Sequence, residues 1–171
     1  KSILDLLKSL DQINDEHVIF KIFAPTITPA VSEKIRHMRN VALDSAPPSA
    51  MPEIQSKANL LFLPLSWDTK SPAIIQTATP GKFSDYLGSR RAILIYAPPY
   101  AYVCRYAREN DCAMVVDTPS INALTQMIEV LVKDPSLRAR LATNAYRVFR
   151  NDFSLEKNIE RFSSVISSTV S

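Results

Sequence analysis

The segment from Thr77 to Tyr86 contains residue types that can hold a phosphate group. It reads Thr-Ala-Thr-Pro-Gly-Lys-Phe-Ser-Asp-Tyr and joins a polar loop to a helix that is predicted to start at Gly81. The free amide groups and the positive dipole end of a helix start attract phosphate. Because Gly81 has no side chain, a phosphate can approach the backbone closely there. The segment therefore predicts an anion site.

Side chains around this helix start supply further groups for a nucleotide diphosphate. Thr77 and Thr79 offer hydroxyl donors, and Lys82 offers a positive charge. Asp85 lies about one helical turn further along, where its carboxylate can accept two hydrogen bonds from vicinal hydroxyls such as those of a ribose. A Pro-Gly pair before a helix is common, however, so a plain solvated helix start with Asp85 at the surface is the alternative interpretation.

The elements that must position this segment follow an alternating pattern. Short apolar runs predict five strands, at His17–Ala24, Asn40–Ser45, Asn59–Leu65, Ala92–Ala97 and Ala113–Val116. Between and after them, helical spacing and capping residues predict helices, at 3–10, 29–38, 52–57, 81–88, 100–110, 121–133, 134–150 and 155–168. The connection from Ser66 to Thr79 is predicted to be irregular.

This alternation predicts an α/β fold, with a parallel sheet covered by helices on both faces in three layers. Sheets of this kind bind ligands at the carboxyl ends of their strands. The sequence shows no internal repeat, so we expect a single domain over residues 1–171. Since the chain starts with Lys1 rather than Met, we also expect that part of the protein precedes it.

Composition narrows the class of protein further. With 171 residues and 46% hydrophobic residues, the chain can bury a sizeable core. A net charge of +3 with dispersed Lys and Arg does not favour a nucleic-acid partner. Cys104 and Cys112 are not part of a CxxC or His/Cys cluster, so we expect reduced core cysteines and no metal site.

Three segments in order carry a resemblance to a known family. They are Ala58–Leu65 (ANLLFLPL), Pro80–Leu87 (PGKFSDYL), and Asp134–Leu141 (DPSLRARL) followed by Asn144-Ala145 and Phe153-Ser154. Over Ala58–Phe162, this sequence resembles the C-terminal, donor-binding domain of retaining GT-B glycosyltransferases, which include many lipopolysaccharide and capsule enzymes. The resemblance implies that the chain is a Rossmann-like C-terminal half of a GT-B fold.

The resemblance also implies roles for individual residues. In this family the donor is a nucleotide-diphosphate sugar, and two acidic residues eight apart often mark its site. Asp85 matches the second, which contacts the ribose, whereas Thr77 stands at the first and has no carboxylate. Lys1 matches a lysine that helps neutralise the diphosphate. The usual Gly and Pro before the fourth strand correspond to Arg90 and Ala92.

The chemistry implied by the resemblance is hexosyl transfer with retention, in which the nucleotide diphosphate leaves and the acceptor attacks from the same face. Lys82 would stabilise the leaving group, and neither a metal nor another cofactor is expected. The acceptor site and any general base would belong to an N-terminal domain, so the isolated chain is expected to be inactive. A cytoplasmic location is expected, with peripheral association of the whole protein with the inner face of a membrane, in polysaccharide biosynthesis.

Residues that follow two of the predicted strands have two interpretations each, and two alternative functions remain. Pro47 follows the second predicted strand, where the family places the nucleobase, but a stiff connection explains it equally well. Trp67 follows the third strand, and a partly buried loop anchor is favoured over a contact with the donor. Thr77 in place of an acid favours a non-catalytic binding domain as the alternative function. A nucleotide-sugar epimerase on the same fold is the other.

Overall fold

The computed structural model describes residues 1–169, except for the side chains of 161, 168 and 169. Five strands are formed, β1 (Phe20–Phe23), β2 (Val41–Asp44), β3 (Leu60–Pro64), β4 (Ala92–Tyr96) and β5 (Met114–Val116). The helices are α1 (Ser2–Ile13), α2 (Pro29–Ile35), α3 (Met51–Ser56), α4 (Pro72–Thr77), α5 (Gly81–Gly88), α6 (Tyr102–Asn110), α7 (Ile121–Lys133), α8 (Pro135–Val148) and α9 (Leu155–Thr169).

All strand pairs are parallel, which confirms the predicted α/β class. β1 pairs with β2, and β4 lies between β3 and β5. The strands are thus divided between two parallel sheets, whereas the alternation of elements alone had indicated one. Each parallel neighbour is reached through at least one helix, as parallel connections require.

The centre of the fold is β4, whose five residues are all buried. Ile93 and Ile95 point into one apolar cluster, which also contains Phe83 and Leu87 of α5. Leu94 and Tyr96 point into a second cluster, formed with α1 and α7 on the other face. Because successive side chains of a strand point to opposite faces, β4 is covered by helices on both sides. The predicted three-layer arrangement is therefore confirmed.

The first strand is shorter than predicted. His17 lies in a turn instead of a strand, because the Asp15 carboxylate accepts a hydrogen bond from the His17 amide at 2.9 Å. The amide of Val18 also donates to the carbonyl of Asp15 at 3.1 Å. An aspartate that bonds to the backbone two residues on favours a turn over an extended strand.

Two further boundaries differ from the predictions. The connection predicted to be irregular contains α4, a six-residue helix that starts at Pro72. The long helix predicted to reach Arg150 ends at Val148, and a short π-helical segment, Phe149–Phe153, follows it. The single domain predicted for 1–171 includes residues 170 and 171, which lie outside the described residues, and its extent stays a prediction.

Candidate functional site

The carboxyl edge of the three-stranded sheet is where the start of α1 and the chain after β3 meet. The Ser2 hydroxyl donates to the carbonyl of Leu65 at 2.6 Å, which fixes the start of α1 beside the end of β3. The Leu65 amide in turn donates to the carbonyl of Tyr96 at 3.0 Å, so the ladder between β3 and β4 continues to this edge. This is the edge at which parallel sheets bind ligands.

The start of α5 has no side-chain cap. Pro80 stands at the N-cap position and makes no capping hydrogen bond. Phe83 and Leu87 are fully buried and hold the helix against the core. A Cβ added at Gly81 would meet no atom within 4 Å, so no packing contact demands a glycine there. The helix start is therefore fixed in place without a side-chain cap. The anion site predicted at Gly81 stays a prediction.

Lys82 and Asp85 are both exposed on α5. They are three residues apart, which places them on neighbouring positions of one helix face. Among the described residues, no ion pair is recorded for either side chain. The neighbouring Ser84 hydroxyl bonds back to the carbonyl of Gly81 at 2.8 Å, so it belongs to the helix itself. Lys82 and Asp85 thus offer a cation and a carboxylate to a ligand at the helix start.

The two threonines before α5 differ in what they can donate. Thr77 ends α4, and its hydroxyl donates to the carbonyl of Ala73 at 2.9 Å. Its one donor is therefore already used within its own helix. Thr79 is exposed in the short connection between α4 and α5. Of the two, Thr79 is the better placed to give a hydroxyl hydrogen bond to a phosphate.

Lys1 and Pro47 lie at the carboxyl ends of two different strands. The Lys1 ammonium is 3.8 Å from the Asp68 carboxylate, and both side chains are well exposed. Pro47 follows β2 and accepts a hydrogen bond from the Ala50 amide at 3.0 Å. Within residues 1–169, no recorded contact joins either residue to the start of α5. Each residue therefore lies at the carboxyl end of a strand, where ligands bind, but among the described residues neither is joined to Gly81 in one site.

Two buried side chains at this edge form a hydrogen bond that was not predicted. The Tyr96 hydroxyl donates to the Asp5 carboxylate at 3.1 Å, and both residues are buried. Burial, and then the hydrogen bond to Asp5, raise the pKa of the Tyr96 phenol. The Tyr96 ring lies 5.1 Å from the ring of Trp67, measured between centroids. This group joins α1, β4 and the chain after β3 at one point.

Trp67 is half-buried, which agrees with its interpretation as a loop anchor. Its indole nitrogen is buried and has no hydrogen-bond partner within the described part of the chain. A buried N–H group without a partner costs free energy, because the hydrogen bond to water is lost and not replaced. The indole N–H is thus an unsatisfied donor in the chain that follows β3. The polar residues Asp5 and Ser9, on the buried stripe of α1, were the signal that sequence reasoning missed.

Residues 1–169 contain neither a metal-binding cluster nor a helix that could span a membrane. No cluster of three or more His, Cys, Asp or Glu side chains is arranged to bind a metal. No helix in this range has the length and apolar character that a membrane span needs.

Comparison with solved structures gives a clear likeness in fold. WaaG, a glycosyltransferase involved in lipopolysaccharide biosynthesis, matches with a TM-score of 0.65 at 17% sequence identity. The match covers 90% of this chain and 40% of the WaaG chain. No family model and no curated protein matches the sequence.

This likeness confirms the fold that the sequence resemblance implied. At 17% identity, it is a similarity of architecture: an α/β, Rossmann-like domain that corresponds to one half of a GT-B type fold. The chain spans well under half the length of the structure it matches, so the remainder of WaaG has no counterpart in these 171 residues.

Proposed function

We propose that this chain is the donor-binding domain of a retaining glycosyltransferase and binds a nucleotide-diphosphate sugar. The observation that carries the proposal is the open start of α5, with Gly81 in free space and Lys82 exposed beside it. The fold supports the proposal, because a glycosyltransferase shares it.

Each residue at the helix start has a separate part in this proposal. The free amides at Gly81 and the Lys82 ammonium bind the diphosphate and stabilise the charge on it as it leaves. Asp85, one turn along α5, accepts the ribose hydroxyls. Thr79 adds a hydroxyl to the phosphates, while Thr77 contributes less because its proton is held by Ala73.

Lys1 and Pro47 contact the donor in this proposal from positions away from the start of α5. Lys1 adds a second cation to the diphosphate, for which its long side chain must leave Asp68. That exchange costs little, because an exposed ion pair with atoms 3.8 Å apart contributes little stability. Pro47 lies beside the nucleobase in this proposal. The indole N–H of Trp67, which has no partner within the described residues, is available for the sugar or the base.

The complete reaction needs more than this chain. We place the acceptor site and any general base in an N-terminal domain, which the coverage of 40% of the WaaG chain supports. We therefore expect the isolated chain to bind donor without turning it over. The proposed whole enzyme needs no metal, acts in the cytoplasm in polysaccharide biosynthesis, and associates peripherally with the inner face of a membrane.

A non-catalytic binding domain is the second candidate function. Thr77 favours it, because the residue at this position has no carboxylate and its hydroxyl is engaged with the Ala73 carbonyl. In that case the nucleotide half of the site persists and the sugar contact is lost. Nucleoside diphosphates and nucleotide sugars would then bind equally well.

Calorimetry with uridine and guanosine diphosphates, and with their sugar derivatives, tests the proposal. Lys82→Ala and Asp85→Ala are each expected to weaken binding about tenfold or more, because each removes a hydrogen bond to or from a charged group. Lys133→Ala and Glu16→Ala remove exposed charges of the same type elsewhere, and they should leave the affinity unchanged.

The outcomes separate the two candidate functions. A nucleotide sugar that binds more tightly than its nucleoside diphosphate supports a donor domain. Equal affinities favour the non-catalytic domain. If Lys82→Ala and Asp85→Ala bind as well as the unaltered chain, the proposed site is wrong.

A further inference from the structure

A cavity lies at the opposite, amino edge of the three-stranded sheet. It has a volume of about 500 Å³ and is open to solvent. Residues that directly precede β3 and β4 line it together with one face of α8, and they include Asn59, Arg90, Arg91, Arg138 and Tyr146. β4 has five residues, so this amino edge is about 16 Å from the carboxyl edge. The cavity is therefore separate from the start of α5.

Arg91 has an unsatisfied polar atom at this cavity. Its Nε is buried, and no hydrogen-bond partner for it exists within the described residues. A guanidinium N–H that is removed from water without an acceptor is costly, so buried groups of this kind are nearly always paired. No carboxylate in residues 1–169 forms an ion pair with Arg91. The missing acceptor points to a ligand.

Arg90 adds a second guanidinium in a strained backbone position. Its φ of 59° lies in the left-handed region, which glycine occupies without strain and arginine does not. Its guanidinium carbon lies 3.8 Å from the centre of the Tyr146 ring, which holds the side chain over the cavity wall. The chain thus keeps a cation where the backbone favours glycine.

The charge around the cavity is positive on balance. Arg138 donates to the carbonyls of Leu131 and Val132, so it closes the end of α7 and still leaves its charge beside the cavity. The one carboxylate adjoining the lining residues in sequence, Asp134, is engaged as the cap of α8 through the Leu137 amide at 2.8 Å. Hydrogen bonds from Arg90 and then Arg150 lower the pKa of the Tyr146 phenol, as expected near several cations.

We propose that this cavity is a binding site for a phosphate group, held by the guanidinium groups of Arg90 and Arg91. A phosphate monoester carries about −1.5 to −2 charges near neutral pH and offers three acceptor oxygens. A carboxylate carries one charge and would leave most of the positive charge uncompensated. The planar fork of arginine fits phosphate oxygens in pairs, which completes the bonding of Arg91 Nε.

Proton–nitrogen correlation spectra during titration with inorganic phosphate test this site directly. The Nε–H signal of Arg91 is expected to shift with the amides of residues 90 and 91. Arg91→Met should weaken binding about tenfold, because it removes a charge-assisted hydrogen bond. Arg90→Gly should weaken binding while the melting temperature stays unchanged or rises, since glycine relieves the left-handed strain.

Control variants and a second probe complete the test. Arg36→Met, an exposed arginine paired with Glu33, and Lys82→Ala at the other edge should both bind phosphate at the cavity as before. Sedimentation with vesicles that contain phosphatidic acid, a lipid with a monoester phosphate, compared with phosphatidylcholine vesicles, identifies a lipid headgroup as the source if binding depends on Arg91. The proposal is overturned if neither probe depends on Arg91, or if phosphate shifts only the signals of Gly81 and Lys82.

Discussion

Tyr96 and Asp5 show what sequence reasoning reaches and misses at the scale of a residue. Tyr96 lies within the predicted fourth strand, Ala92–Ala97, and it is the last residue of β4. Its hydrogen bond to Asp5 joins residues 91 positions apart in the chain. Nothing in the spacing of the two residues along the chain specifies that pairing, because it depends on how α1 packs across the sheet. A carboxylate on a buried helix stripe was the available clue.

The residues at the start of α5 were more predictable. Gly81, Lys82 and Asp85 are close in sequence, so their relation depends on one helix and follows from local pattern. Lys1 and Pro47 were assigned through the resemblance, and their relation to Gly81 depends on contacts between distant elements. The engagement of Thr77 with Ala73 was also missed, because α4 was predicted as an irregular connection.

The two core cysteines lead to a prediction about alkaline pH. Burial raises the pKa of Cys104 and of Cys112 to about 11, from an ordinary value of 9.0. A raised pKa in the folded state means that the unfolded chain releases these protons first. The free energy of unfolding should therefore fall as pH rises from about 9 to 11. Its slope against pH corresponds to at most two protons, one from each thiol. Urea unfolding at a series of pH values measures this slope.

A double variant provides the comparison for this prediction. Cys104→Ala with Cys112→Ala is less stable at every pH because of the lost packing, but its stability should change less between pH 9 and 10. An equal slope in the variant and the unaltered chain would show that the thiols do not cause the alkaline loss.

At the scale of elements, the two glycines of α5 have opposite surroundings. A Cβ at Gly88 would lie 3.1 Å from Cε2 of Phe149, which is tighter than ordinary van der Waals contact, whereas a Cβ at Gly81 would meet nothing within 4 Å. Gly88→Ala should therefore lower the free energy of unfolding by about 1–3 kcal/mol through overpacking. Gly81→Ala should leave stability unchanged or slightly higher, since alanine favours helix.

Urea unfolding of both glycine variants checks the packing of α5 against Phe149. Because the two changes are chemically identical, Gly81→Ala serves as the matched control. If Gly88→Ala is as stable as Gly81→Ala, then α5 and the segment Phe149–Phe153 are not packed as described.

Strands were predicted well where a strongly apolar run was bounded by turn-forming residues. β3 and β4 lie within one residue of their predicted bounds, because they are buried runs of Leu, Ile and aromatic residues. α7 and α8 begin at capping residues, since the Ser120 hydroxyl accepts from the Ala123 amide and the Asp134 carboxylate accepts from the Leu137 amide. α4 was missed because its six residues make fewer than two helical turns and lack a side-chain cap.

At the scale of the whole molecule, the α/β class followed from the alternation of elements, but the division of the strands did not. Which parallel strands pair is decided by contacts between helices and strands far apart in sequence. The cavity at the amino edge also depends on contacts between elements that are far apart in sequence. Arg90 and Arg91 are adjacent in the sequence, but only the packing of α8 across this edge brings Tyr146 and Arg138 to them.

The most direct test of the central claim is to locate a bound nucleotide on the chain. Proton–nitrogen correlation spectra recorded with uridine and guanosine diphosphate should show the largest shifts at the amides of Gly81 and Lys82, followed by Asp85, whereas the Phe83 amide already donates to the carbonyl of Pro80 at 2.8 Å. The amides of Gly81 and Lys82 form the open start of α5 at the carboxyl edge. Spectra in which these signals stay unchanged with both nucleotides, or in which only the amino-edge arginines respond, would contradict the account.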